Sequence, residues 1–166
     1  MMTWRWLLLV LLAPGCGEKE YTVDELCAGE GPVEMTLGPG TGDGFTPFVE
    51  GEEVDIAIAP QGGYGIEVRA STLGLLTNRR VQVTVSSYWG DETTGTFLWG
   101  AQPLYCMEDG AGLMWGVVVP FDPELFPTVE DLAVLDGERV TLELVAVDEE
   151  GDQAVGQVEV IVRVQE

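Results

Sequence analysis

Histidine is absent from the 166 residues, and seven basic residues, Lys19 the single lysine among them, face 29 carboxylates for a formal charge of −22. Without an imidazole there is no Ser–His or Cys–His nucleophile arrangement. Lys19 stands in a polar N-terminal stretch, so neither a Ser–Lys pair nor a Schiff-base lysine is expected. One cysteine pair without histidine does not make a zinc site. The acidity repels phosphate backbones, and a nucleic-acid partner is not expected. Carboxylates are so abundant that no pair stands out as a glycosidase acid and base, and small β-domains seldom offer the cleft such a pair needs. The expectation is a protein that is not an enzyme.

Long apolar runs are also missing after the first turn of the chain. Met1–Trp6 carries Arg5, and Leu7–Ala13 is apolar throughout. This is the order of an export signal, and the run is too short to span a bilayer as a helix. Leu11-Leu12-Ala13-Pro14-Gly15-Cys16 resembles a lipoprotein signal, in which residues 1–15 are removed and Cys16 becomes the lipidated first residue. The alternative is an ordinary secretory signal cut after the small residues Ala13-Pro14-Gly15. Lipidation makes a membrane the first partner, through the N-terminal lipid. Gly17, in place of an aspartate of the inner-membrane retention type, points to the outer membrane. Residues 16–31, with Glu18, Glu20, Asp24, Glu25 and Glu30, read as an acidic tether.

From residue 32 the pattern changes to period two. Val33, Met35 and Leu37 alternate with Glu34 and Thr36, and the same alternation recurs in Val54–Ile58, Ile66–Ala70, Val81–Ser86, Val140–Val147 and Val155–Val164. Thr96–Trp99 and Leu113–Val119 complete about eight strands, each half-buried by its alternation. Gly38–Gly44, Asp136-Gly137 and Asp148–Asp152 supply turns, the last closing a terminal hairpin. The one helical candidate is Asp122–Phe126, started by Asp122-Pro123 and stopped by Pro127. Short connections without helices imply an all-β antiparallel sandwich or small barrel. At this length the sandwich, with 7–8 strands over residues 32–166 and folding as a monomer, is the expectation.

Three cysteines in an exported chain leave one unpaired. With Cys16 taken by lipid, Cys27 and Cys106 remain to form a disulfide in an oxidising compartment. The pair is not placed like the core bridge of an antibody domain. Two stretches are candidates for binding. Tyr64, in the loop Gln61-Gly62-Gly63-Tyr64-Gly65, and Trp89, beside Gly90 at a strand end, are placed where exposed rings stack on a sugar or a protein partner, whereas Trp99 and Trp115 read as core anchors. Asp148, Glu149, Glu150 and Asp152 place four carboxylates in one turn, and Asp43 lies in a second acidic turn. The first reading is a solvated hairpin. The sharper one is a Ca²⁺ site built on Asp148, Glu150 and Asp152, although the EF-hand spacing is missing. No other cofactor is expected.

Leu37-Gly38 through Phe45 to Phe48, then Val54–Ile58, then Ala59-Pro60-Gln61-Gly62-Gly63-Tyr64-Gly65-Ile66, resemble a family of deltaproteobacterial lipoproteins. Their shared features are a lipobox, an acidic tether, a Gly-Thr-Gly loop leading to Phe, a Gly-Pro-Gln-Gly-Gly-x-His loop and an acidic terminal hairpin. The resemblance implies an immunoglobulin-like β-sandwich displayed from a membrane and carries no activity over. Ala59 replaces the family's Gly and Gly65 its His. The Gln61–Gly65 loop reads as structural first, because its glycines permit a tight turn.

Overall fold

The computed structural model describes residues 19–42, 44–58 and 63–164. The export signal, Cys16, Asp43 and Ala59–Gly62 lie outside the described residues. In chain order the elements are α1 (Val23–Cys27), β1 (Glu34–Pro39), β2 (Glu52–Asp55), β3 (Ala57–Ile58), β4 (Tyr64–Leu73), β5 (Arg79–Trp89), β6 (Glu92–Cys106), β7 (Gly112–Phe121), α2 (Val129–Leu132) with a 3₁₀ turn (Ala133–Leu135), β8 (Arg139–Val147) and β9 (Gln153–Arg163).

The chain is all-β, as the alternation predicts. Its layout differs from the seven to eight antiparallel strands in two sheets expected above. Nine strands form one continuous mixed sheet, ordered β1-β4-β7-β6-β5-β8-β9-β2 with β3 added on β4, curled into a half-barrel. β2 lies parallel to β9, with Val54 opposite Val162, while the other pairings are antiparallel. The apolar alternation expected over Val54–Ile58 is split between β2, which pairs with β9 and whose ladder ends in the bond from Ile56 N–H to the Arg163 carbonyl, and β3, which pairs with β4.

β6 is the strand that makes the sheet continuous. Eleven of its residues pair with β5, whereas only Tyr105 and Cys106 pair with β7. Over the rest of its length β6 parts from β7, and side chains bridge the gap. The Trp99 indole N–H donates to the Val118 carbonyl at 2.9 Å, and the Ser87 hydroxyl to the Pro120 carbonyl at 2.9 Å. A backbone bond from Asp122 N–H to the Thr94 carbonyl closes the far end at 2.7 Å. Pro103, opposite Arg80, and Pro120, opposite Gly65, lie in these strands and have no N–H to donate to a ladder. At Gly95 the backbones come so close that a Cβ would overlap the Pro120 carbonyl.

The core lines the inside of the curl. Val81, Val83 and Val85 on β5, Leu142 and Leu144 on β8, and Ile66, Val68, Val117 and Val119 on β4 and β7 are fully buried. The edge strand β1 meets β9 across it, with Met35 and Leu37 packed on Gly156. Asp122–Phe126, expected as a short helix, is a single turn. Asp122 accepts there from the N–H groups of Glu124, Leu125 and Phe126, and Phe126 packs edge-on against Phe121. The helix comes after Pro127, started by a capping box between Thr128 and Asp131. Gly17–Gly31, read as a free tether, contains α1 from Val23 onward, started by a second capping box between Thr22 and Glu25.

Candidate functional site

The cysteines organise one end of the molecule. Cys27 and Cys106 form the disulfide, with Cα atoms 5.6 Å apart. Beside it, Thr77 donates from both its N–H (3.1 Å) and its hydroxyl (2.8 Å) to the Cys27 carbonyl. Ala28 bridges to Leu76, and Leu26 packs over Gly110 of the β6–β7 loop. The N-terminal segment is therefore fixed to the domain from α1 onward.

Asn78, next to this junction, adopts φ 57°, a left-handed conformation that asparagine tolerates better than most residues. Its N–H donates to the Leu104 carbonyl at 2.6 Å, and its side-chain oxygen accepts from Cys106 N–H at 3.2 Å. The side-chain oxygen is thereby engaged, and the residue is exposed. Asn78, Arg79, Arg80, Pro103, Leu104, Tyr105 and Glu149 line an open groove of about 420 Å³. Tyr105 is 51% exposed, and Arg80 donates to the Ala101 carbonyl at 3.0 Å through one of its nitrogens.

The charge distribution sets this groove apart. Lys19 is held by Glu30 at 3.4 Å and Glu25 at 3.9 Å, Arg139 by Glu159 and Arg163 by Glu53. Arg69 is buried, donates to the Gly44 carbonyl and lies 4.4 Å above the Trp115 ring. Among the described residues, that leaves Arg79 and Arg80 as the exposed cations without a salt bridge. Two shifted carboxyls belong to the pairs just named, not to the groove. A backbone hydrogen bond from Thr22, helped by its hydroxyl, lowers the Glu25 pKa, and the Arg163 guanidinium lowers that of Glu53.

The residues singled out in the sequence occupy different places. Tyr64 is half-buried against the core, opposite Phe121 in the β4–β7 ladder. Trp89, at the tip of β5, is 38% exposed and donates its indole N–H to Glu138 at 3.2 Å. No ring contact joins the two among the described residues, whose aromatic pairs are Phe97–Trp99 and Phe121–Phe126. Trp99 packs on the core as expected, but Trp115 does not. A bulge opposite Arg69 turns Trp115 outward to cover that guanidinium.

In the terminal hairpin, Asp148 is nearly buried, at 8% exposure. Its Oδ1 accepts from the N–H groups of Glu150 (2.9 Å) and Asp152 (3.0 Å), and its Oδ2 from Leu76 N–H (3.0 Å). The acid thus holds its own turn and ties the hairpin to the β4–β5 loop. Among the described residues no three acidic or cysteine side chains converge as a metal-binding group.

Sequence reasoning passed over Asn78, Arg79, Arg80 and Tyr105. The available signal was that Arg79-Arg80 is the one adjacent pair of bases in a chain of charge −22. No family model matches the chain, and no curated protein matches it either.

Proposed function

We propose that the chain is a non-catalytic, lipid-anchored protein of the cell envelope, its β-domain held at the outer membrane in a structural or interaction role. The observation that carries this reading is the Cys27–Cys106 pair. A disulfide of this kind belongs to an oxidising compartment, and it leaves Cys16 as the odd cysteine directly behind an apolar run and small residues. The absence of histidine and the confinement of the single lysine to the N-terminal segment favour binding over catalysis. Among the described residues no helix is long and apolar enough to cross a membrane, so in this reading the attachment falls to the lipid.

Intact-mass analysis of the protein isolated from envelopes, with and without reduction, tests both parts. The expected N-terminus is Cys16 carrying acyl chains, with two hydrogens gained on reduction. An N-terminus elsewhere, or an unmodified Cys16, overturns the anchor. Free thiols at Cys27 and Cys106 overturn the compartment.

A further inference from the structure

We propose that the groove between Asn78 and Tyr105 is a binding site for an acidic saccharide: a carboxylate carried on a hydroxylated ring. The inference goes beyond the envelope reading and does not depend on the lipid. It begins with the two unpaired guanidinium groups. In a chain of charge −22, every other described cation has a carboxylate partner or is buried, although acids outnumber bases about fourfold. Arg79 and Arg80 stand in the same groove without one, and guanidinium is the side chain best shaped to grip a carboxylate through two parallel hydrogen bonds.

The rest of the lining determines what carries that carboxylate. Tyr105, half-exposed, presents a ring, the surface on which the apolar face of a sugar stacks. The Asn78 amide supplies donors and Glu149 supplies acceptors, a mixture suited to hydroxyl groups, each of which both donates and accepts. Glu149 also works against a polyphosphate, since it places a negative charge inside the groove and the whole chain adds to the repulsion. A single carboxylate per ring meets less of that repulsion than a polyphosphate, and the charges of the chain farther than about 8 Å are screened at physiological salt. The groove volume of about 420 Å³ falls in the range of small-ligand sites. The walls are fixed: Asn78 is locked to Leu104 and Cys106 by hydrogen bonds, and Cys106 by the disulfide. A preformed groove spares the ligand the cost of ordering it.

The test is calorimetry of the oxidised full chain with four probes: a tetrasaccharide of galacturonic acid, a neutral tetrasaccharide of glucose, a tetraglutamate peptide and phosphatidylglycerol vesicles. The expected result is binding of the galacturonate probe alone. Arg79→Gln and Arg80→Gln each weaken it about tenfold, and Tyr105→Ala about threefold or more. Variants are compared at matched thermal stability, so a folding defect is recognised independently, and Glu138→Gln at the opposite end serves as a control expected to bind as the parent does. No binding of galacturonate, or binding unaffected by either arginine substitution, overturns the proposal. Equal binding of the glucose probe removes the carboxylate from the argument, and equal binding of tetraglutamate removes the ring. Binding of vesicles alone makes the groove a headgroup contact and overturns it too.

Discussion

Replacing Asp148 with alanine removes a nearly buried carboxylate that accepts from three backbone N–H groups in two different parts of the chain. A hydrogen bond to a charged group contributes about 1.5–3 kcal/mol, but the losses are not additive. Glu150 and Asp152 stand in an exposed turn where water replaces the carboxylate, so the half-buried Leu76 donor dominates the cost. The expected loss is about 3 kcal/mol, equivalent to a fall in Tm of about 6–12 °C for a domain of this size. Asp148→Asn keeps an acceptor for the turn but points an amide at Leu76 N–H, and an intermediate loss of about 1–2 kcal/mol is expected. Urea unfolding followed by tryptophan fluorescence reads both variants, with the slope unchanged and the midpoint lowered. An alanine variant within about 0.5 kcal/mol of the parent would refute the assignment of Asp148 as the residue that fastens this hairpin. Both carboxylate oxygens are already engaged by N–H donors, so calorimetry with millimolar Ca²⁺ is expected to give no heat at this turn.

Three other outcomes follow from the same structure. The bridge from Cys27 to Cys106, with a sequence separation of 79 residues, closes a loop long enough for chain entropy to contribute about 4.5 kcal/mol. The double serine variant is expected to lose about 2–4.5 kcal/mol in urea, and a loss below about 1 kcal/mol would count against this account. Gly95→Ala pushes a methyl group into the Pro120 carbonyl and is expected to cost about 2 kcal/mol or more, lowering Tm, because backbone on both sides must move. The Glu53 pKa is depressed by the hydrogen bond and charge of Arg163, so its contribution to stability is present above the unfolded-state value and fades as pH falls through the folded one. Midpoints for the parent and Glu53→Gln are expected to differ slightly near neutrality and to converge below about pH 4, the gap shrinking in high salt.

The strands were legible because their alternation is clean: Val81, Val83 and Val85 point inward while Gln82 and Thr84 do not. β6 was legible only in its middle, at Thr96–Trp99. Around that segment Gly95, Gly100 and Pro103 interrupt the pattern, and two register shifts against β5 change which face a residue meets. The continuous sheet was therefore hidden, since continuity depends on the strand whose pattern is broken. Both helices carried a readable start, Thr22 to Glu25 and Thr128 to Asp131, but each is about one turn long, with no apolar periodicity to attract notice. The disulfide followed from the parity of the cysteines. The groove did not, because Arg79 and Tyr105 stand 26 residues apart and only the β5–β6 ladder, with Arg79 opposite Leu104, makes them neighbours.

The disulfide also decides how the domain bears a mechanical load. A pull on the N-terminus passes through Cys27 to Cys106 and enters the end of β6, bypassing β1. From Cys106 the covalent path toward the C-terminus continues into β7, so the bridge spans the whole loop that holds β1 through β6. The edge strand β1, which a direct pull would peel off one bond at a time, lies inside the covalent loop and is shielded. Stretched between its ends, the oxidised domain keeps β1 through β6 out of the covalent load path; reduced, it exposes β1 to the pull first.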